Sequence, residues 1–319
     1  MKNLIFNAYA YIENYNTSVN IINSKKNIFT YLKNSFVSLK SAQISNPEYE
    51  AALVTNIKVS EEFKKFFLEN NIKIYFCPFD YFRFEQNYKW ALAFFKLCAL
   101  KYVVDLEYDN YLLLDTDTYV QSSLEDMFEE CKTKILLYDI QQRLTNEDCR
   151  IFNQEYNKLS GKYDYPTNYG GEFLAGNRNN LLLFVTECEN IYKMMQENDF
   201  KTSFGDEFII RLAANNMRLI IKNANAYVYR YWNRRHYLIS TNYKFDAVSV
   251  LHFPNEKNDA MIRMFNYYRQ KNKFPKKNKV YKWFLLDLKL YIFYPFIWAI
   301  KKIQKMAKNK NNYSKDYQL

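Results

Sequence analysis

Asp115-Thr116-Asp117 closes an apolar run, Tyr111-Leu112-Leu113-Leu114, and a shorter apolar stretch to Val120 follows it. A run of this length reads as a buried central strand, so the carboxylate pair lies where the strand leaves the core and meets solvent. Two carboxylates held that close need a cation to stay ionised together. Mg²⁺ or Mn²⁺ takes a few hard oxygen ligands plus substrate phosphates, and this arrangement supplies them. The plainer alternative is an Asp-rich turn after a strand, and so short a motif does not decide between the two by itself. A second concentration is Tyr169-Gly170-Gly171-Glu172-Phe173-Leu174-Ala175-Gly176, which holds three of the five glycines in the chain. It reads equally as a turn or bulge and as a close approach of backbone to a ligand. Asp206-Glu207, after Ser203-Phe204-Gly205, stands at the start of a helix, where two acids also suit the helix dipole. His252, one of two histidines, ends a strand, a place more often structural than ligating.

The elements that must carry these residues follow from apolar spacing. Leu4 to Ala10 is a first strand, opening onto Tyr9, Tyr11 and a polar loop to about Lys26. Phe29, Leu32, Phe36 and Leu39 recur at helical spacing within a helix from Ile28 to Ala42. Ala51 to Thr55 is a strand, Glu61 to Asn70 a helix, Ile72 to Phe76 a strand and Tyr88 to Val104 a long apolar helix. Such alternation predicts a parallel sheet flanked by helices. Ser122-Ser123-Leu124-Glu125 reads as a capping box, with Ser122 as N-cap of a helix to Cys131. Ile135 to Tyr138 is a strand, and the polar stretch Asp139 to Pro166 a loop or small helical insertion over the site. Helices from Asn180 to Gln196 and from Asp206, a strand from Val248 to Phe253 and a helix from Asp259 to Gln270 complete the unit.

The length of 319 residues suits one large domain, alone or with an appendage. Hydrophobic residues at 49% and aromatics at 19% exclude a disordered chain. A bias toward Asn, Lys, Ile, Tyr and Phe lowers the weight of any single Lys, Asn or Tyr. The net charge of +11 points to an anionic partner, but much of the excess sits between Lys271 and Lys310, where acids are almost absent. Cys77, Cys98, Cys131, Cys149 and Cys188 are odd in number and scattered, so neither a zinc site nor a disulfide framework is expected and a reducing compartment fits. The apolar stretch at the N-terminus is too short for a signal peptide. From Val280 to Lys308 the chain is aromatic and apolar with Lys on both sides, and Asp287, Lys289 and Pro295 interrupt it. That fits a helix lying in a membrane interface better than one spanning it; a terminal helix docked on the domain is the alternative.

Taken in order, these features resemble the nucleotide-sugar glycosyltransferases of the A-type fold (GT-A). Asp115-Thr116-Asp117 on its strand is similar to the metal-binding Asp-x-Asp of that superfamily. Phe95-Lys96-Leu97 and Tyr108-Asp109-Asn110-Tyr111-Leu112-Leu113-Leu114 resemble the retaining family 8, the group of glycogenin and bacterial lipopolysaccharide galactosyltransferases, with Lys96 where that family has Arg. The glycine segment and Asp206-Glu207 look like family 6, the retaining blood-group-type enzymes. In that family the glycine segment shapes the acceptor side and an Asp-Glu pair supplies the catalytic Glu. The likeness implies an acceptor side at Gly170, Gly171, Glu172 and Gly176 and a catalytic pair Asp206 and Glu207, where family 8 usually has Gln in place of Glu207. His252 resembles the third metal ligand of family 8. That family continues His-x-x-Gly-x-x-Lys; here Asn255 replaces the Gly and Lys257 comes one residue early.

The resemblance covers roughly residues 1–260. It implies a GT-A domain over 1–270, with a mixed, mostly parallel sheet flanked by helices; the composition adds a basic amphipathic tail over 271–319 for membrane-surface attachment. The resemblance also implies Mn²⁺ or Mg²⁺ on Asp115, Asp117 and His252. A nucleotide-sugar donor, expected to be a UDP-sugar, would be bound by Tyr9, Tyr11, Lys96, Asp115, Thr116 and Lys257. The acceptor is expected to be a glycan or a lipid-linked glycan, the stereochemistry retaining, and the enzyme cytoplasmic and peripheral on the inner face of a membrane. Nucleic acid is not expected as a partner. Two rivals stand beside this. A nucleotidyltransferase also pairs carboxylates around a metal but wants a Gly-rich phosphate loop near the first strand, and residues 1–30 contain no Gly. A non-catalytic membrane-surface or nucleic-acid-binding protein explains the tail and leaves Asp-Thr-Asp and the glycines unused.

Overall fold

Three apolar runs become parallel strands buried along almost their whole length, which a sheet covered on both faces provides, and a fourth, more exposed run pairs with them as the edge strand. The computed structural model describes residues 2–13, 24–141, 144–163, 165–231 and 247–284, with single positions 286, 296, 299, 300 and 303 beyond. Strands β1 (Asn3–Tyr9), β2 (Glu50–Thr55), β3 (Ile72–Phe76) and β4 (Asn110–Leu114) are joined by helices α1 (Ser24–Ser45), α2 (Glu61–Glu69) and α3 (Phe95–Val104). After a short strand β5 (Thr118–Val120) and helix α4 (Glu125–Cys131) come β6 (Ile135–Asp139), α5 (Asn146–Ser160), β7 (Tyr169–Asn177), α6 (Arg178–Glu197), α7 (Asp206–Asn216) and β8 (Ile221–Asn223). The last described elements are β9 (Val228–Arg230), β10 (Val250–His252), α8 (Ala260–Lys271) and α9 (Lys277–Trp283).

Among the described residues the main sheet has seven strands in the order β3-β2-β1-β4-β7-β6-β8. All its pairings are parallel except those of β7, which runs antiparallel to both β4 and β6. The expected mixed, mostly parallel sheet flanked by helices is therefore what the chain forms. Alternate residues feed two cores: Ile5, Leu53, Leu112 and Leu114 pack with Phe36 and Phe67 on one face, while Leu4, Phe6, Val54 and Leu113 pack with Phe95 and Phe208 on the other. A second sheet of three short strands, β5-β10-β9, stands beside the carboxyl end of β4, because the chain leaves the main sheet at Asp115 and enters the small one at Thr118.

Several expectations shift. The long helix from Tyr88 begins only at Phe95; before it, Ala91 and Ala93 donate to the carbonyls of Tyr88 and Trp90, so this stretch is successive turns. Long-range bonds hold it there, Trp90 Nε1 donating to Ser203 O at 2.7 Å and Tyr88 Oη to Thr202 O. The capping box at Ser122 does not form: α4 starts at Glu125 with Leu124 as N-cap, and Ser122 Oγ bonds Ser249 Oγ instead. A capping box does occur at Thr145 and Asp148, opening α5 in the stretch expected to be a loop or small helical insertion. The start of the tail is part of the globular unit. Val280, Tyr281, Phe284 and Leu286 are buried, the Phe284 ring stacks on Phe253 at 4.0 Å, and Tyr281 Oη donates to Gln121. The unit thus continues past residue 270 to at least Leu286, and the docked alternative holds for this stretch. From 287 onward the expected interfacial helix lies outside the described residues, apart from Phe296, Ala299, Ile300 and Ile303. No helix among the described residues is long and apolar enough to cross a membrane.

Candidate functional site

The turn at Asp115-Thr116-Asp117 is built by backbone and by small polar residues. Asn7 Nδ2 donates to Leu114 O at 2.8 Å, and Thr118 Oγ1, itself 2.6 Å from Ser38 Oγ, donates to Asp115 O. Asp115 N donates to Glu172 O at 3.0 Å and Phe253 N to Asp117 O at 3.0 Å, which locks the turn to β7 on one side and to the end of β10 on the other. Both carboxylates consequently point into a cavity of about 280 Å³ at the carboxyl end of β1 and β4. Open α/β sheets place their ligand crevices at such an end.

Single ligand atoms from Asp115, Asp117 and His252 lie within 4.8 Å of one another. His252 Nε2 is 3.3 Å from Asp117 Oδ2 and 3.5 Å from Asp115 Oδ2. Asp117 is 1% and His252 2% exposed, yet neither oxygen of Asp117 and neither ring nitrogen of His252 makes a hydrogen bond. Buried polar atoms are almost always satisfied, so the orphaned Asp117 carboxylate and His252 Nε2, which faces both aspartates, fit a cation. Two carboxylates and one imidazole suit Mn²⁺ or Mg²⁺, the imidazole leaning toward Mn²⁺. Two lysines balance the carboxylates meanwhile. Lys96 Nζ is 2.6 Å from Asp115 Oδ1, 3.8 Å from Asp206 Oδ2 and donates to Gly171 O, and Lys257 Nζ is 3.4 Å from Asp117 Oδ2.

Burial pushes the Asp117 carboxyl up, but Lys257 and His252 outweigh it and hold it well below the usual carboxylate range. Burial likewise pushes His252 down, and Asp117, Glu172 and Asp115 overcome this to raise it to about 9. That folded value lies above the unfolded one of 6.5, so this contribution to stability is complete below about pH 6.5 and is lost as pH rises through about 9. A metal ligand must be a neutral imidazole, so proton and cation compete. The apparent Mn²⁺ affinity is therefore expected to rise about tenfold per pH unit between pH 7 and 9 and to level off above. A Mn²⁺ titration with the same affinity at pH 7 and pH 9 would contradict His252 as a ligand.

The glycine cluster turns out to serve side chains of the chain itself. It lies on a central strand, β7, whose pairing with β6 shifts register between Leu137 and Asp139, opposite Leu174 and Tyr169, so of the two readings the bulge is the one that holds. A Cβ on Gly170 would overlap Glu172 Oε2, and one on Gly171 would overlap Asp206 Oδ2. Gly176 stands against Leu181. Gly170, Gly171 and Gly176 thus do not line the cavity, contrary to the expected acceptor role; Glu172 does. Asp206 is also absent from the cavity wall, buried behind Lys96. Burial pushes its carboxyl up to about 7, with Glu207 and Asp115 adding to the rise against the pull of Lys96. Gly205, at φ 65°, turns the chain into α7 and admits the Trp90 side chain against its backbone. Glu207 in the next turn lines the cavity, with Oε2 2.8 Å from Arg211 Nη2 and Oε1 3.7 Å from Arg230 Nη1.

Tyr9, Lys96, Asp115, Thr116, Asp117, Glu172, Glu207, His252 and Lys257 all line one cavity. Tyr11 does not: its backbone N–H and C=O are both tied to the Asn56 side chain, which turns it away. Its place is taken by Tyr31 of α1, stacked on Tyr9 with centroids 4.8 Å apart and 21° between planes, with Lys257 Nζ 5.6 Å from the Tyr31 centroid. Sequence reasoning also missed Trp90, Arg211 and Arg230. Arg211 was visible as the i+4 partner of Glu207 on one helix face; Arg230, on a three-residue strand, carried no signal. No protein-family model matches the chain, and no curated protein matches it in sequence, so the site rests on its own geometry.

Proposed function

We propose that the chain is a metal-dependent glycosyltransferase of the GT-A type, moving a sugar from a UDP-sugar to a glycan or lipid-linked acceptor with retention of configuration. The observation that carries this reading is the buried Asp115/Asp117/His252 group, with its unpartnered polar atoms, opening into the same cavity as Glu207. Asp115, Asp117 and His252 would hold Mn²⁺ or Mg²⁺, which when bound supplies positive charge to a leaving diphosphate, so that no general acid is needed. Lys257 offers its ammonium to phosphate oxygens. The face-on pair Tyr9 and Tyr31 offers a flat surface to a nucleobase. Glu207 sets a carboxylate, held by two arginines, against positive charge that develops at the anomeric carbon.

Thermal unfolding with UDP, GDP or CDP, each with and without Mn²⁺, tests the reading. One nucleotide is expected to stabilise the protein only together with Mn²⁺, by about 2.7 kcal/mol at a hundredfold excess over Kd. No shift with any combination would leave Asp115 and Asp117 as a turn and discard the transferase.

We further propose that the tail attaches this enzyme to an anionic membrane surface. Phe296, Ile300 and Ile303, at i, i+4 and i+7, are exposed, and Lys301, Lys302, Lys305 and Lys308 alternate with them in sequence. A chain ending at Leu286, which retains the buried residues of α9, is expected to keep the nucleotide response and to stop sedimenting with phosphatidylserine vesicles. Unchanged sedimentation would remove the membrane role from the tail.

A further inference from the structure

The charges behind His252 are not spent on holding a cation, and they run without a break to Glu207. His252 turns Nε2 toward the Asp115 and Asp117 carboxylates and Nδ1 toward Glu172, 3.5 Å from Oε1. The same Glu172 oxygen is 3.0 Å from Arg230 Nη1, and that guanidinium nitrogen is 3.7 Å from Glu207 Oε1. Glu172 is 2% exposed. Burial raises its carboxyl, but Arg230 and then His252 outweigh that and bring it to about 2.

Three features of the backbone exist to bring these groups together. Gly170 leaves open the volume that Glu172 Oε2 fills. Arg230 and His252 are register partners in the parallel pair β9 and β10, and Tyr231 N donates to His252 O at 2.8 Å. The carbonyl of Glu172 accepts from Asp115 N, so this one residue touches the carboxylate turn through its backbone and the imidazole through its side chain.

A salt bridge serving stability alone would need only Glu172 and Arg230, and such a buried pair is often no better than two apolar side chains. Here it is extended at both ends, to a candidate metal ligand and to the carboxylate facing the reacting carbon. A carboxylate behind an imidazole fixes its tautomer and ring plane, which keeps the other nitrogen's lone pair on the metal. With Nδ1 facing Glu172 at 3.5 Å, Nε2 is the ligand atom turned to the cation.

We propose that Glu172 and Arg230 are positioning residues that join the two halves of the site. Glu172 orients His252 with Nε2 toward Asp115 and Asp117, and Arg230, anchored on Glu172, holds Oε1 of Glu207 at its place in the cavity. This rests on the reading of the site as a metal-dependent transferase.

The test uses the full chain with Glu172→Gln and Arg230→Lys, and reads Mn²⁺ affinity by electron paramagnetic resonance together with the histidine side-chain ¹⁵N signals in Mg²⁺. Only two histidines contribute, and a His236→Gln chain assigns them. Wild type is expected to show His252 as the single Nδ1–H tautomer. Glu172→Gln is expected to mix the tautomers and weaken Mn²⁺ binding by about 10–100-fold. Arg230→Lys keeps a cation on Glu172, so its Mn²⁺ affinity is expected within threefold of wild type. A lysine ammonium on a flexible stem does not keep the fixed position of Nη1 between the two carboxylates that the planar guanidinium gives it, so kcat is expected to fall at least tenfold with the donor KM unchanged. Should Glu172→Gln not fold, Glu172→Asp, which withdraws the same charge by one methylene, is expected to change the tautomer and the affinity in the same direction. Wild-type tautomer and Mn²⁺ affinity in either Glu172 variant would overturn the role of Glu172, and wild-type kcat in Arg230→Lys that of Arg230. A wild type that binds no divalent cation at all would instead overturn the metal-dependent reading on which both depend.

Discussion

Asp117→Ala is expected to abolish any Mn²⁺-dependent nucleotide response and also to destabilise the metal-free protein by about 3–5 kcal/mol, the range for removing one partner of a buried ion pair. Two separate causes act. As a ligand, Asp117 is the most buried of the candidate set and its two oxygens have no hydrogen-bond partner to compete with a cation. As a charge, it is the anion shared by Lys257 at 3.4 Å and His252 at 3.3 Å, the second buried and the first partly so. Its carboxyl sits well below the usual range, so this stabilisation is present above the unfolded value near pH 4 and is lost only as pH falls through the depressed folded value. Truncation leaves a buried and a partly buried cation without this anion. Asp117→Asn separates the causes: it keeps the volume and one oxygen, so its stability loss is expected to be smaller, about 1–3 kcal/mol, while the Mn²⁺ response is lost as fully as in Asp117→Ala. Urea unfolding at pH 7 gives the first quantity and nucleotide-dependent melting the second. An Asp117→Asn protein that keeps the Mn²⁺-dependent shift would take Asp117 out of the metal set.

The centre of the parallel half could be read because its strands are buried on both faces and so appear as apolar runs; β1 and β4 are where Leu4-Ile5-Phe6 and Leu112-Leu113-Leu114 put them. The carboxylates of Asp115 and Asp117 were legible for the same reason, since a buried strand must end somewhere and its first polar residues mark the mouth. What escaped depended on contacts between distant segments. Tyr9 and Tyr11 look alike in sequence, but two hydrogen bonds to Asn56, 45 residues on, decide that only Tyr9 stays at the cavity. Tyr31 belongs to a helix whose apolar face could be predicted, whereas the lean of its first turns over the end of β1 could not. The glycines signalled crowding correctly, but whether backbone, ligand or side chain fills the space is a three-dimensional matter, and here Glu172 and Asp206 fill it. The Tyr88–Phe94 stretch has helical spacing and still forms turns, because Tyr88 and Trp90 hydrogen-bond to carbonyls more than a hundred residues away.

Glu207→Gln is expected to lower kcat for sugar transfer by about 10²–10⁴-fold, the range for removing a positioned charged or proton-transferring group, while the Mn²⁺-dependent stabilisation by nucleotide stays within about 1 °C of wild type. Glu207 lines the cavity but stands apart from the Asp115/Asp117/His252 group, so donor anchoring does not pass through it. Its carboxylate is fixed in its plane by guanidiniums on either side, Arg211 at 2.8 Å on Oε2 and Arg230 at 3.7 Å on Oε1. An amide has the same shape but carries no charge and turns one N–H₂ toward a guanidinium, a donor facing a donor. The variant is therefore also expected to be less stable by about 1–3 kcal/mol, the cost of one unsatisfied buried group, most of it from Arg211, which is fully buried and stacked 4.6 Å over Phe152. The pairing of outcomes is what discriminates. A group that only braces α7 would lose stability and leave kcat per folded molecule untouched, whereas a carboxylate facing the anomeric carbon loses kcat and leaves nucleotide binding alone. Single-turnover transfer on protein shown to be folded by its melting curve reads the difference, and the anomeric proton coupling of the wild-type product reads the stereochemistry. An α-linked donor giving a β-linked product would remove retention, and with it the role of Glu207 as the carboxylate that stabilises the sugar cation from the face opposite the leaving diphosphate.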